Sequence, residues 1–296
     1  MSGLDFSWHW SPIALLGIII LCLLYSGGIW LARRNNIRTP LKRSQPIAFV
    51  TAIIILALVL LTPFDTIART QLFVVHMAQA VAITTLCAPL LLASCPDWLL
   101  QPVVELPVIR QLFQTLTQPI VASIIFNLTF LLWHAPIFFN YALEHGTLYH
   151  VEMLSFLLTS LLNWWPLIGP LREKRNLSYP LQMLYAFFDG QPVDIYAFLL
   201  VFTGVIFYTN YNIPPALVQF GYTSLADQTS SGAILLIPGL VDLIVMSPLF
   251  FRWLAQIERQ AKIADQQRQE EEDATEFEDE EEETVDVEET ERANTA

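Results

Sequence analysis

The sequence predicts an all-α membrane protein: a polytopic bundle of about seven transmembrane helices, N-terminus outside and C-terminus cytoplasmic. Three observations lead there. Of 296 residues, 54% are hydrophobic and 15% are charged, well away from soluble composition in both directions. Several stretches run about 17–25 residues without a charge, the length that crosses a bilayer as a helix. The basic residues, finally, sort onto one side of the connections between those stretches.

The apolar segments lie at approximately 12–32, 46–64, 71–95, 119–134, 149–169, 191–209 and 230–254. Pro46 and Pro119 suit first helical turns, and Pro136 prevents the fourth helix from continuing. Asp5 precedes the first segment and Arg33 and Arg34 follow it. A cleavable leader carries its positive charge in front, so this reads as a retained first span. The sixth segment is less regular. In FFDGQPVDIY, residues 187–196, Asp189, Gly190, Pro192 and Asp194 predict a broken helix whose acids face protein or water. Asp242 is another acid inside the seventh segment.

An odd number of spans puts the termini on opposite sides. With the N-terminus outside, Arg33, Arg34, Arg38, Lys42, Arg43, Arg110, Arg172, Lys174 and Arg175 all fall inside. So do Arg252, Arg259, Lys262, Arg268 and Arg292, leaving only Arg69 outside. The net charge of −13 belongs entirely to residues 258–296, because residues 1–257 have equal numbers of acids and bases. Two regions follow: a transmembrane domain over 1–257, and an acidic cytoplasmic tail over 258–296 whose self-repulsion predicts disorder. The tail is a solvated run or a recruiter of a basic cytoplasmic partner. Cys22, Cys87 and Cys95 are odd in number, lack any CxxC pair and sit in apolar runs, as packing residues do.

Histidine is scarce, yet three of five occur in WHAPIFFNYALEHGTLYHVEM, residues 133–153. The orientation puts His134, His145 and His150 outside, with His9. His76 enters its span from the same side, about 8 Å below the helix start at 1.5 Å per residue. All five imidazoles thus share the outer quarter, although no histidine was used to orient the chain. His9, in FSWHW, reads as an interface anchor, and so does His145 at a loop tip. His76, His134 and His150 form the candidate cluster. Met77 adjoins His76, and Met153 shares a helix face with His150. Imidazole with thioether suits copper, particularly Cu(I). The candidate metal ligands are therefore His76, Met77, His134, His150 and Met153. Glu152 is a candidate orienting partner. Asp227, ahead of the last span, is either the N-cap of its own helix or a partner that orients a histidine.

Several short motifs occur in order over roughly 70–240: HM-x-Q at 76–79, W-H-x-P at 133–136, YHVEMLSF at 149–156, NWWP at 163–166, and DQ-x-x-x-G at 227–232 followed by PG at 238–239. Together they resemble the CtaG family of membrane proteins that assemble caa-type cytochrome c oxidases. The resemblance implies a seven-span protein of the bacterial plasma membrane, not an enzyme. Its partners would be oxidase subunits and the lipid bilayer, and its work would be chaperone-like help in forming the oxidase copper centre. This chain departs from the family pattern at Ala80 and Met153, where the family often has histidine, and at Leu235 and Leu236, where it commonly has Met-Trp.

Two rival readings remain at this stage. One is a haem-binding redox protein with paired axial histidines. The other is a proton-coupled transporter using Asp194 and Asp242. No P-loop, G-x-S-x-G or H-E-x-x-H motif points to a soluble enzyme. No basic surface beyond the orientation pattern points to nucleic acid.

Overall fold

The computed structural model describes residues 3–35, 41–171 and 177–294. The cytoplasmic connections expected around Arg38 and around Arg172, Lys174 and Arg175 lie outside the described residues. Two compact units emerge, residues 1–246 and 247–296.

In the first unit, α1 (Pro12–Arg34) is opened by Ser11, whose hydroxyl accepts from the Ala14 amide, with Pro12 at its first position. α2 (Ser44–Leu61) follows, and Thr62 then caps the short α3 (Pro63–Thr70). The third span consists of α4 (Phe73–Val81), a π-helical turn (Ala82–Cys87) and α5 (Ala88–Ser94). Pro89 explains the π turn. It has no N–H to donate and its ring crowds the preceding turn, so the ladder widens there. The widening leaves the Thr84 carbonyl to the Trp164 indole, which donates to it at 2.9 Å.

α6 (Asp97–Val104) and α7 (Pro107–Leu116) lead to α8 (Pro119–Trp133), and α7 and α8 are bent by 74°. α9 (Pro136–Glu144) and α10 (Gly146–Ile168) come next, then α11 (Tyr179–Phe202), the short α12 (Pro215–Gln219) and α13 (Ser224–Leu235). α14 (Ile237–Asn294) starts in the first unit and continues through the second.

Five helices are long and apolar enough to cross a membrane, or six if the bent α7–α8 pair is one span. The expected segment 191–209 accounts for the difference from seven. α11 starts earlier and stops at Phe202, and Gln182, Asp189, Gln191 and Asp194 dilute its apolarity. Its expected break is absent: the helix runs straight through Gly190 and Pro192. Asp189 is held there by the Asn127 and Asn163 side chains instead of by an unwound backbone.

Burial separates centre from periphery. The most apolar windows of α1 and α2 are 17% and 22% buried, against 61% for both Phe73–Ser94 and α10. α4 and α10 therefore lie at the centre of the bundle, α13 turns Asp227, Gln228, Ser231, Gly232 and Leu235 into it, and α1 and α2 leave most of their apolar surface exposed. α11 and α13 approach so closely that a Cβ on Gly232 would stand 2.7 Å from the Ala197 carbonyl oxygen. Gly232→Val is accordingly expected to destabilise the protein by roughly 1–3 kcal/mol or more through overpacking. A lowered thermal midpoint in detergent would register it; an unchanged midpoint would mean that the helices separate freely.

Cys22, Cys87 and Cys95 are free thiols. Cys87 is buried and its Sγ faces the Ala52 carbonyl at 3.8 Å. In the second unit the acidic segment continues as helix, with residues 256–273 exposed. Glu, Gln, Lys, Arg and Ala favour helix without burying anything.

Candidate metal centre

Three elements converge on one buried point. His76 stands on α4, His134 ends α8, and Glu152 lies two turns into α10. One ligand atom from each falls within 4.8 Å of the other two, and all three residues are buried. The closest approach recorded is His76 Nε2 to Glu152 Oε1, 3.6 Å, with both side chains fully sealed from solvent.

None of these atoms is satisfied by protein. Both nitrogens of His76, Nε2 of His134 and both oxygens of Glu152 are buried without a hydrogen-bond partner. Buried polar groups are nearly always paired, so five orphans at one point signal an unmet demand. The His134 tautomer follows from its surroundings. Its Nδ1 lies 2.8 Å from the Phe130 carbonyl, which only accepts, so Nδ1 carries the proton and the Nε2 lone pair is free.

Each arm is set by a distant residue. α4 begins at Leu72, which has no capping side chain. Asp227 supplies the cap from α13, accepting from the amides of Phe73 at 2.7 Å and Val74 at 3.1 Å, with the Tyr222 hydroxyl donating at 3.0 Å. The helix bearing His76 thus receives a negative charge at its positive end. The N-cap of α13 itself is Thr223. Gln228, the next residue, accepts from the Phe207 amide at 2.8 Å and donates to the Val205 carbonyl at 2.9 Å. That anchors the irregular segment 203–214, whose Tyr208 hydroxyl donates to the His134 carbonyl. Tyr196 and Tyr208 share a further hydrogen bond of 2.5 Å. The DQ pair therefore fixes one histidine through each of its members. Gln228→Ala is expected to raise amide exchange at Phe207 about tenfold or more, as loss of a net hydrogen bond implies. Exchange unchanged there would remove Gln228 from this role.

Gln79 closes the motif HM-x-Q. Its Nε2 donates to the Val59 carbonyl at 2.6 Å and to Asp65 Oδ1 at 2.9 Å, and its Oε1 accepts from the Tyr149 hydroxyl. Burial pushes the Asp65 carboxyl above the usual carboxylate range, and the Gln79 hydrogen bond pulls it part of the way back.

Aromatic rings wall the centre. Phe139 meets His76 edge-on at 4.8 Å, Phe156 stacks with His134 at 5.5 Å, and Tyr149 lies 5.8 Å from His76. The two imidazole rings are 5.5 Å apart, and Phe139 packs against both. For an ion with bonds of about 2.0–2.2 Å, ligand atoms in a tetrahedral site lie about 3.4 Å apart. The His76–Glu152 pair nearly meets this already, and the widest separation closes by about 1 Å or more.

Of the other residues singled out by sequence, Met77 and Met153 are buried beside His76 and Glu152 in the chain. His150 is outside the trio: its Nε2 faces Asp65 Oδ2 at 4.0 Å. His145 is exposed, with Nδ1 on the Tyr141 carbonyl, and His9 bonds Ser7. Asp194 and Asp242 line a separate cavity of about 50 Å³ with Asp189, Asn163 and Thr84. There Asp189 accepts from Asn127 at 3.2 Å and Asn163 at 2.5 Å. Sequence reasoning missed Asp65 and Tyr208, and it noted Gln79 and Tyr149 only as motif members without a role. For Tyr149 a signal existed, since Tyr149, Glu152, Phe156, Ser160 and Asn163 recur at helical spacing along one buried stripe of α10.

The fold and this cluster together define a helical membrane protein built around a sealed pair of imidazoles and a carboxylate. A family model described as cytochrome c oxidase caa3 assembly factor (Caa3_CtaG) matches residues 23–256, and the chain belongs to that family. No curated protein and no solved structure matches the chain.

Proposed function

We propose that this protein holds copper as cargo at His76, His134 and Glu152 while the copper centre of a cytochrome c oxidase is formed. The observation that carries the reading is the coincidence of five unpartnered buried ligand atoms with an oxidase-assembly family. Two imidazoles and a carboxylate suit Cu(II) better than Cu(I); Met77 and Met153 are the nearest soft donors in the chain for the reduced ion. The protein is a chaperone and catalyses no reaction. Its partners are oxidase subunits.

In this reading the chain crosses a bacterial plasma membrane seven times, with the α7–α8 pair and α11 each counted as a crossing. At 24 residues α11 is about 36 Å long, enough to span about 30 Å of hydrocarbon. The basic connections then face the cytoplasm and the histidines the other side. The exposed acidic helix on the cytoplasmic side offers its charge to a basic partner.

A strain lacking the gene, complemented with wild type, His76→Ala or His134→Ala, tests the reading. Wild type is expected to restore oxidase activity and oxidase copper. The variants are expected to leave oxidase copper several-fold low at unchanged haem content. Full copper and activity in both variants would contradict it.

A further inference from the structure

His150 sits two residues before Glu152, and residues two apart on a helix do not share a face. Its imidazole turns towards α3 instead. Nδ1 donates to the Gly146 carbonyl at 2.6 Å, which leaves Nε2 as the lone pair. That Nε2 is buried, has no hydrogen-bond partner, and lies 4.0 Å from Asp65 Oδ2. Oδ1 of Asp65 is taken by Gln79, so Oδ2 is the free oxygen. An acceptor nitrogen and a carboxylate oxygen thus face each other across a gap that one ion bridges with bonds of about 2.0–2.2 Å.

Two features connect this pair to the centre already described. The first is exposure. The His150 and Asp65 side chains are 9% and 7% exposed, whereas those of His76 and Glu152 are at 0%. One pair is nearly buried and the other is sealed. The second is Tyr149, whose ring lies 5.7 Å from His150 and 5.8 Å from His76 and so touches both sites. Its hydroxyl is bound to Gln79, and Gln79 is bound to Asp65. A change at Asp65 therefore reaches the ring that separates the two sites through only two hydrogen bonds.

We propose that Asp65 and His150 form a second, peripheral site for the same transition-metal ion, from which it passes to His76, His134 and Glu152 when Tyr149 moves aside. The proposal rests on the metal-centre reading above. Two protein ligands hold an ion less tightly than three. Arg69 weakens the peripheral site further. It lies one turn beyond Asp65, and its Nη1 would stand 2.8 Å from a Cβ on Gly146. Among the described residues it makes no ion pair with Asp65. A weak site nearer the surface beside a tight sealed one sets the direction of transfer inward.

The test is titration of purified full-length protein with Co(II), followed in the visible region, with bound metal counted by mass spectrometry. Wild type is expected to bind two ions, the second at least about tenfold more weakly. His150→Gln and Asp65→Asn, which preserve size and hydrogen-bonding capacity, are each expected to bind one ion with the tight affinity intact. Both should load it at least about tenfold more slowly in stopped flow. Glu152→Gln is expected to keep only the weak ion, and Arg69→Gln to tighten that ion. Two ions in both His150→Gln and Asp65→Asn, or loading at the wild-type rate, would overturn the peripheral site and leave the central one standing. Loss of no ion in Glu152→Gln would instead strike the central reading. A wild type that binds no metal contradicts both.

Discussion

Glu152→Gln is expected to lower copper affinity at least about 100-fold without lowering the stability of the metal-free protein. Second-shell changes alone cost about 10–100-fold in metal affinity, and the loss of a charged ligand exceeds that. The stability half of the expectation follows from burial. Glu152 is fully buried, and neither of its oxygens accepts a hydrogen bond. A carboxylate in that position costs several kcal/mol unless a counter-charge sits beside it. Replacing it with a neutral amide of the same shape removes the cost. A residue retained for packing behaves in the opposite way, losing stability without any effect on metal. Competition titration against a chelator of known affinity, with thermal unfolding in detergent alongside, reads both quantities. Unchanged copper affinity in Glu152→Gln would remove the carboxylate from the site.

The second large effect belongs to a residue remote from the ligands in sequence. Asp227→Ala is expected to destabilise the protein by about 2–4 kcal/mol, since it strips a cap and leaves two amides at a helix start without an acceptor. Phe73 and Val74 are the donors concerned, and they open the helix that carries His76. Copper affinity should fall about 10–100-fold as that helix end loosens, the range typical of residues that orient a ligand. Asp227→Asn retains an acceptor oxygen and should recover most of the stability. Thermal unfolding and the same competition titration check the pair. Equal losses in Ala and Asn would tie the effect to charge at the helix end; no loss in either would remove Asp227 as the cap.

Much of the architecture was legible in the sequence because the bilayer imposes a simple rule of length and apolarity. α1, α2, the Phe73–Ser94 span and α10 fall close to the apolar runs that announce them. α11 was harder to place. Its polar residues reduce its apolarity, yet Asn127 and Asn163 satisfy Asp189 from neighbouring helices, and the helix continues where local composition suggests a break. The π turn was not legible as such, although Pro89 inside an apolar run was its local cause.

The site was legible in part. His76 and His134, expected in one cluster, have ring centroids 5.5 Å apart. Within 149–153, however, sequence spacing paired His150 with Met153, whereas the buried stripe of α10 runs through Tyr149, Glu152 and Phe156. Rotating a helix by two residues moves a side chain to a different face, and only its packing partners fix that rotation. Asp227 was unreadable for another reason. Its partners lie 154 and 153 residues away, and nothing local distinguishes a cap for its own helix from a cap for another.

X-ray absorption at the copper edge, on purified protein carrying one equivalent of copper, addresses the central arrangement most directly. A shell of nitrogen and oxygen neighbours with the outer scattering of two imidazoles is the expected result, reduced to one imidazole in His134→Ala. A wild-type spectrum without imidazole scattering, or one that His76→Ala and His134→Ala both leave unaltered, would contradict it.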